Sequence, residues 1–71
     1  MTLDKIKKGQ EVIIKKIKKS DGKRFAYRFG LNEGCKVKCI GKINNGPIII
    51  RKNNQEIAIG NNIAKEIEIA D

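Results

Sequence analysis

Residues 23–34 read Lys23-Arg24-Phe25-Ala26-Tyr27-Arg28-Phe29-Gly30-Leu31-Asn32-Glu33-Gly34, and the reading of the whole chain turns on this stretch. Phe25 and Phe29 are four apart and share one face of a helix with Ala26. Arg24 and Arg28, also four apart, fall on the solvent side with Tyr27 nearby. Upstream, Ser20-Asp21-Gly22 supplies a turn and a candidate helix start, in which Asp21 can cap free backbone donors. The spacing therefore predicts a short helix over residues 23–29. Gly30 stands one past the last periodic residue, the usual place for a left-handed helix end. Leu31 must then turn back onto the core, and Gly34 closes a second turn. A helix this short is marginal alone, so a packed sheet has to hold it.

The flanking sequence supplies that sheet. Residues 2–10 form an opening segment that Leu3 and Ile6 pin to the core, with a turn at Gly9. Residues 11–19 predict the first strand. Val12 and Ile14 share a face, and a bulge near Lys15 or Lys16 would bring Ile17 onto the same face; otherwise Ile17 covers the outside. Residues 35–43 predict a second strand with Cys35, Val37 and Cys39 inward, Lys36 and Lys38 outward, and a bend or bulge at Gly41. Asn45-Gly46 is a strong hairpin signal leading to a third strand over residues 47–51. Residues 55–59 predict a fourth strand and residues 60–64 a tight helical turn. Residues 65–69 predict a closing strand with Ile67 and Ile69 inward and Glu66 and Glu68 outward. Five short strands with one helix after the first point to a mainly β domain, a small SH3-like or OB-like partly open barrel that rolls up to protect its edges.

Size and composition agree. At 71 residues the chain is expected to form one domain over residues 1–71. A chain this short buries only about 60% of the surface that its unfolded form exposes, so nearly all of its apolar material must serve the core. Fourteen isoleucines dominate that material, and β-branched side chains favour strands. No apolar run approaches the ~20 residues of a spanning helix, and no leader pattern follows Lys5, Lys7 and Lys8, so a cytoplasmic, non-spanning protein is expected. Cys35 and Cys39, four apart along a strand, would lie ~13 Å apart, beyond the ~7 Å that a disulfide tolerates. They are read as reduced thiols.

Chemistry is thin. The sequence has no histidine, which excludes a histidine general base and any Ser-His-Asp or Cys-His arrangement. Two cysteines without histidine do not make a zinc site, and the carboxylates are scattered. No Gly-rich phosphate loop is present. No catalytic, cofactor-binding or metal-ligating residue is therefore assigned. The net charge is +8, and residues 1–35 carry +6 of it. Such a balance suits nucleic acid, an acidic lipid surface or an acidic protein face, and equally a lysine-rich proteome. Weak, salt-sensitive nucleic-acid binding would be unsurprising, and a small basic nucleic-acid-binding barrel is the alternative reading. Its weakness is the scarcity of stacking aromatics.

At this point the chain resembles the FeoA family of small accessory proteins of bacterial ferrous iron uptake. The resemblance covers nearly the whole length. Leu3-x-x-Ile6-x-x-Gly9 is similar to the family's opening, and Arg24-Phe25-Ala26-Tyr27-Arg28-Phe29-Gly30-Leu31-x-x-Gly34 to its helix-and-turn signature. Pro47-Ile48-x-Ile50, Glu56-Ile57-Ala58-Ile59 and Ala64-x-x-Ile67-x-Ile69 resemble its second half. Phe29 and Ile59 stand where leucine is more usual, and Gly60 where arginine is common. The resemblance implies an SH3-like barrel and a non-catalytic accessory or regulatory role. It also implies a partner, the FeoB membrane transporter with its cytoplasmic GTPase-containing region. Arg24, Tyr27 and Arg28 are the residues expected to meet that partner. Gly30, Leu31 and Gly34 form the turn that sets their position.

Overall fold

The computed structural model describes residues 1–70. A short 3-10 turn at Leu3–Lys5 leads into β1 (Glu11–Ile17), followed by α1 (Ser20–Phe29), β2 (Lys36–Lys42), β3 (Ile48–Lys52), β4 (Gln55–Ile59), the one-turn helix α2 (Asn61–Ala64) and β5 (Ile67–Ala70). The strands make one antiparallel sheet in the order β4-β3-β2-β1-β5. Two irregularities bend it. The register of β1 against β5 shifts between Ile14 and Lys16, and that of β2 against β3 shifts between Cys39 and Gly41. A bulge adds one residue to one strand, bends it and increases the local twist. The domain measures 25 × 24 × 21 Å overall.

The bulge at Lys15 resolves the parity of β1. Val12 and Ile14 point inward, Lys15 and Lys16 are both exposed, and Ile17 returns to the core. The same inward face collects Leu3, Ile6, Val37, Cys39, Ile48, Ile50, Ile57, Ile59, Ile67 and Ile69 from the other segments, and Ala26 and Leu31 join it from α1 and its exit. Cys35 lies just before β2 and is half-buried against this core, and both cysteines are free thiols. Edge strand β5 is continued outward by the chain start, where the Ile69 N–H donates to the Met1 carbonyl at 2.7 Å and Thr2 bridges to Glu68.

Several local expectations need correction. The helix begins at Ser20, three residues before the expected start, and its N-cap Lys19 makes no side-chain capping bond. Asp21 lies inside the first turn, so its charge can favour the helix dipole but it is not the cap. A carboxylate from the far end of the chain does that work. Glu66 precedes β5, and its Oε1 accepts from the Gly22 N–H at 2.8 Å. Glu66 is therefore half-buried against α1, unlike the outward strand residue that alternation suggested. β5 starts at Ile67, two residues later than expected. The hairpin expected around Asn45-Gly46 joins β2 to β3. Ile43 to Pro47 form a five-residue loop between the paired Lys42 and Ile48, and Asn45, not Gly46, takes the left-handed conformation at φ 59°.

Gly22 sits where a side chain has no room. A Cβ there would stand 2.9 Å from Glu66 Oε1, 3.1 Å from Ile17 Cγ2 and 3.2 Å from Glu66 Cβ. Glycine to alanine inside a helix ordinarily gains up to ~1 kcal/mol. Here the sign reverses: Gly22→Ala should lower the urea midpoint, because the added methyl displaces the carboxylate that caps the helix. Glu66→Ala should cost about 1 kcal/mol by loss of the cap alone. Parallel urea melts of the two variants check both statements, and a stabilised Gly22→Ala would show that the contact is slack.

Candidate functional site

Helix α1 is locked at its end as well as at its start. Gly30 adopts φ 71° and ψ 25°, the Leu31 N–H donates to the Ala26 carbonyl at 2.8 Å, and the Gly30 N–H donates to the Tyr27 carbonyl at 3.3 Å. This paired closure satisfies carbonyls that a helix end otherwise leaves free. The Gly30 carbonyl accepts from the Lys52 ammonium, tying the helix end to β3. Leu31 is 1% exposed. Gly34, at φ 92°, donates its N–H to the Ile14 carbonyl at 2.7 Å, and Glu33 Oε2 accepts from the Ile17 N–H at 3.4 Å. The loop after the helix thus runs back along the bulged end of β1. Phe25 and Phe29 stack at 4.6 Å between ring centroids and lean on the core without entering it.

The face that α1 presents beside α2 is a shallow groove of ≈ 230 Å³, lined by Asp21, Arg24, Phe25, Arg28 and Ile63. Phe25 and Ile63 are its apolar lining. Arg24 and Arg28 are its cationic border, with Asp21 as the one acid. Among the described residues neither guanidinium is held in an ion pair. Tyr27 does not line the groove. It is 89% exposed and stands on the helix crown. The structure therefore brings Arg24 and Arg28 together and leaves Tyr27 apart. Sequence reasoning missed Ile63, Glu66 and Lys52. Each meets α1 only through the tertiary fold, so no local pattern marks it.

The groove has the chemistry of recognition. Planar guanidinium forks suit carboxylates, and the lining between them accepts an apolar side chain. Among the described residues no three histidine, cysteine or carboxylate side chains gather into a metal-binding group, and no helix is long and apolar enough to cross a membrane. A five-stranded antiparallel sheet carrying a helix after its first strand defines a small SH3-like domain. The chain belongs to the FeoA family, whose domain model matches residues 1–71. It is 41% identical over 66 residues to the "Putative Fe(2+) transport protein A" of Methanocaldococcus jannaschii, a match covering 92% of this chain and 79% of that relative. A crystal structure of an iron uptake regulatory protein, FeoA, superposes with a TM-score of 0.87 at 23% identity, covering 97% of this chain and 93% of that one. FeoA of Stenotrophomonas maltophilia, complexed with zinc and described as a prokaryotic SH3 domain protein, gives 0.84 at 16% identity over 99% of this chain and 89% of that one. Proteins of this family are non-catalytic accessory proteins of ferrous iron uptake and are associated with FeoB-type transporters.

The closure at Gly30 makes a prediction independent of any partner. A Cβ at Gly30 would meet only Lys52 Nζ, at 3.6 Å, so crowding is absent and backbone strain is the whole cost. Gly30→Ala should lose ~1 kcal/mol in a denaturant melt, and Gly30→Val more. An unchanged midpoint in both would show that the helix end tolerates a side chain at φ 71°.

Proposed function

We propose that this protein acts in ferrous iron uptake by docking the groove between α1 and α2 onto the cytoplasmic, GTPase-containing region of a FeoB-type transporter. The observation that carries the reading is the arrangement of Arg24 and Arg28 along the groove that Phe25 and Ile63 line. A partner segment that presents an apolar side chain beside carboxylates would fill it. Tyr27 then meets the partner at the border of the contact. The curled sheet, read as a partly open barrel, is the rigid support, and Gly30, Leu31 and Gly34 set the tilt of the helix upon it. A cytoplasmic location follows from the partner's cytoplasmic region. The nucleic-acid alternative finds less support, because Phe25 and Phe29 are spent on each other and on the core, leaving Tyr27 as the one exposed ring.

Binding to the transporter's purified cytoplasmic region, followed by calorimetry, tests the proposal. Arginine anchors at the centre of an interface commonly cost more than ~1 kcal/mol when removed. The double variant Arg24→Glu/Arg28→Glu should therefore bind at least about tenfold more weakly while its thermal melt stays that of the wild type. Wild-type affinity in a folded double variant would reject this face. Ferrous iron uptake in a strain lacking the protein should be restored by the wild type and not by the double variant.

A further inference from the structure

Most of the net charge of +8 lies outside that groove's lining and needs its own account. Residues 15–28 hold seven lysines and arginines against one acid, Asp21, a local +6 in a chain of +8. Arg24 and Arg28 belong to the groove. The other five are lysines: Lys15, Lys16, Lys18, Lys19 and Lys23, all exposed.

Structure gathers these lysines where a regular strand would disperse them. The bulge between Ile14 and Lys16 turns both Lys15 and Lys16 outward, and Lys18 follows on the far side of inward Ile17. Glu68 on β5 faces this group and is shared between Lys15 at 4.0 Å and Lys18 at 3.5 Å. One carboxylate thus stands against two ammonium groups, and Lys16 pairs in register with the same residue. Lys19 is the N-cap of α1 and Lys23 lies one turn further, its N–H donating to the Lys19 carbonyl at 2.9 Å. Among the described residues no salt bridge reaches the ammonium groups of Lys16, Lys19 or Lys23. Three like charges beside the positive end of a strand-helix junction persist without internal compensation, which disfavours the compact state through self-repulsion.

We propose that this lysine cluster binds the surface of an anionic lipid bilayer. The cluster has no groove and no apolar lining, so it does not suit a shaped partner. Its charges are hydrated ammonium groups on flexible stems, without the planar fork that reads carboxylates and phosphates two bonds at a time. A polybasic segment of this kind gains from the summed potential of many headgroups, roughly fivefold in partitioning per lysine near the surface. Nucleic acid would present charge as well, but no aromatic side chain interleaves the five lysines to stack a base. The bilayer contact uses β1, the turn after it and the first turn of α1.

The test uses the full chain and vesicles, with no transporter present, so its result is independent of the docking proposal. Co-sedimentation with phosphatidylcholine vesicles containing phosphatidylglycerol should retain the protein at low salt and release it as salt rises, while pure phosphatidylcholine should not retain it. Lys16→Ala/Lys19→Ala/Lys23→Ala should weaken partitioning on the order of 30-fold or more. The control Lys7→Ala/Lys8→Ala/Lys38→Ala removes the same charge elsewhere and should weaken it far less. All six lysines are exposed, and the wild-type salt series stands without any variant. Equal retention with and without phosphatidylglycerol, or equal loss in the two triple variants, would overturn the proposal. Tighter binding to a duplex oligonucleotide than to anionic vesicles at the same salt would assign the cluster to nucleic acid instead.

Discussion

The bond from the Gly22 N–H to the Glu66 carboxylate joins residues 44 apart, and much of the architecture is arranged around it. Glu66 can reach the helix only because β5 starts at Ile67 and the chain before it is turned by α2. The helix can come close enough only because residue 22 has no side chain. The first turn of a helix leaves backbone donors without partners, and here a charged acceptor from another segment serves one of them. The same contact places Ile63 of α2 beside Phe25 of α1, which makes the groove. Without that carboxylate the helix would keep its apolar face but lose the constraint that sets its rotation against α2.

The other end of α1 is governed by a different rule. Gly30 reverses the chain within one residue, Leu31 enters the core, and Lys52 holds the exposed carbonyl. Between the two locks lies a helix that buries only Ala26 and Gly22 fully. Its hold on the domain comes from its ends and from the Phe25–Phe29 stack more than from a broad apolar stripe. A helix held in this way can carry charge on most of its surface, and the sequence uses that freedom for Lys23, Arg24 and Arg28.

What was legible in the sequence follows from the range of the forces involved. Alternation in β1 and its break at Ile17 marked a bulge, because parity is a local property and only one extra residue restores it. The five strands in their succession along the chain and the helix after β1 were also legible, since each element carries its own periodicity and turn residues. The group that caps the start of α1 was not. Asp21 looked like a cap by local chemistry, whereas the acceptor came from Glu66, which reads as an ordinary outward strand residue. Asn45-Gly46 marked the hairpin by local turn chemistry, and within the five-residue loop from Ile43 to Pro47 it is Asn45 that is left-handed. In the candidate site, the four-residue spacing of Arg24 and Arg28 put them on one face. The sequence could not supply Ile63 as part of the groove, nor show that Tyr27 stands clear of it.

The pairing of the chain start with β5 bears on how the protein comes to be folded. Met1 and Thr2 touch Ile69 and Glu68, and β1 pairs with β5 across some fifty residues. During synthesis from the N-terminus, β1 and α1 emerge long before either the strand that borders them or the carboxylate that caps them exists. Contacts of such sequence separation are slow to close. The nascent helix, with its cationic surface, must therefore wait in an unlocked state until residues 66–69 have left the ribosome. Order in the face that α1 presents arrives with the strand that completes the sheet.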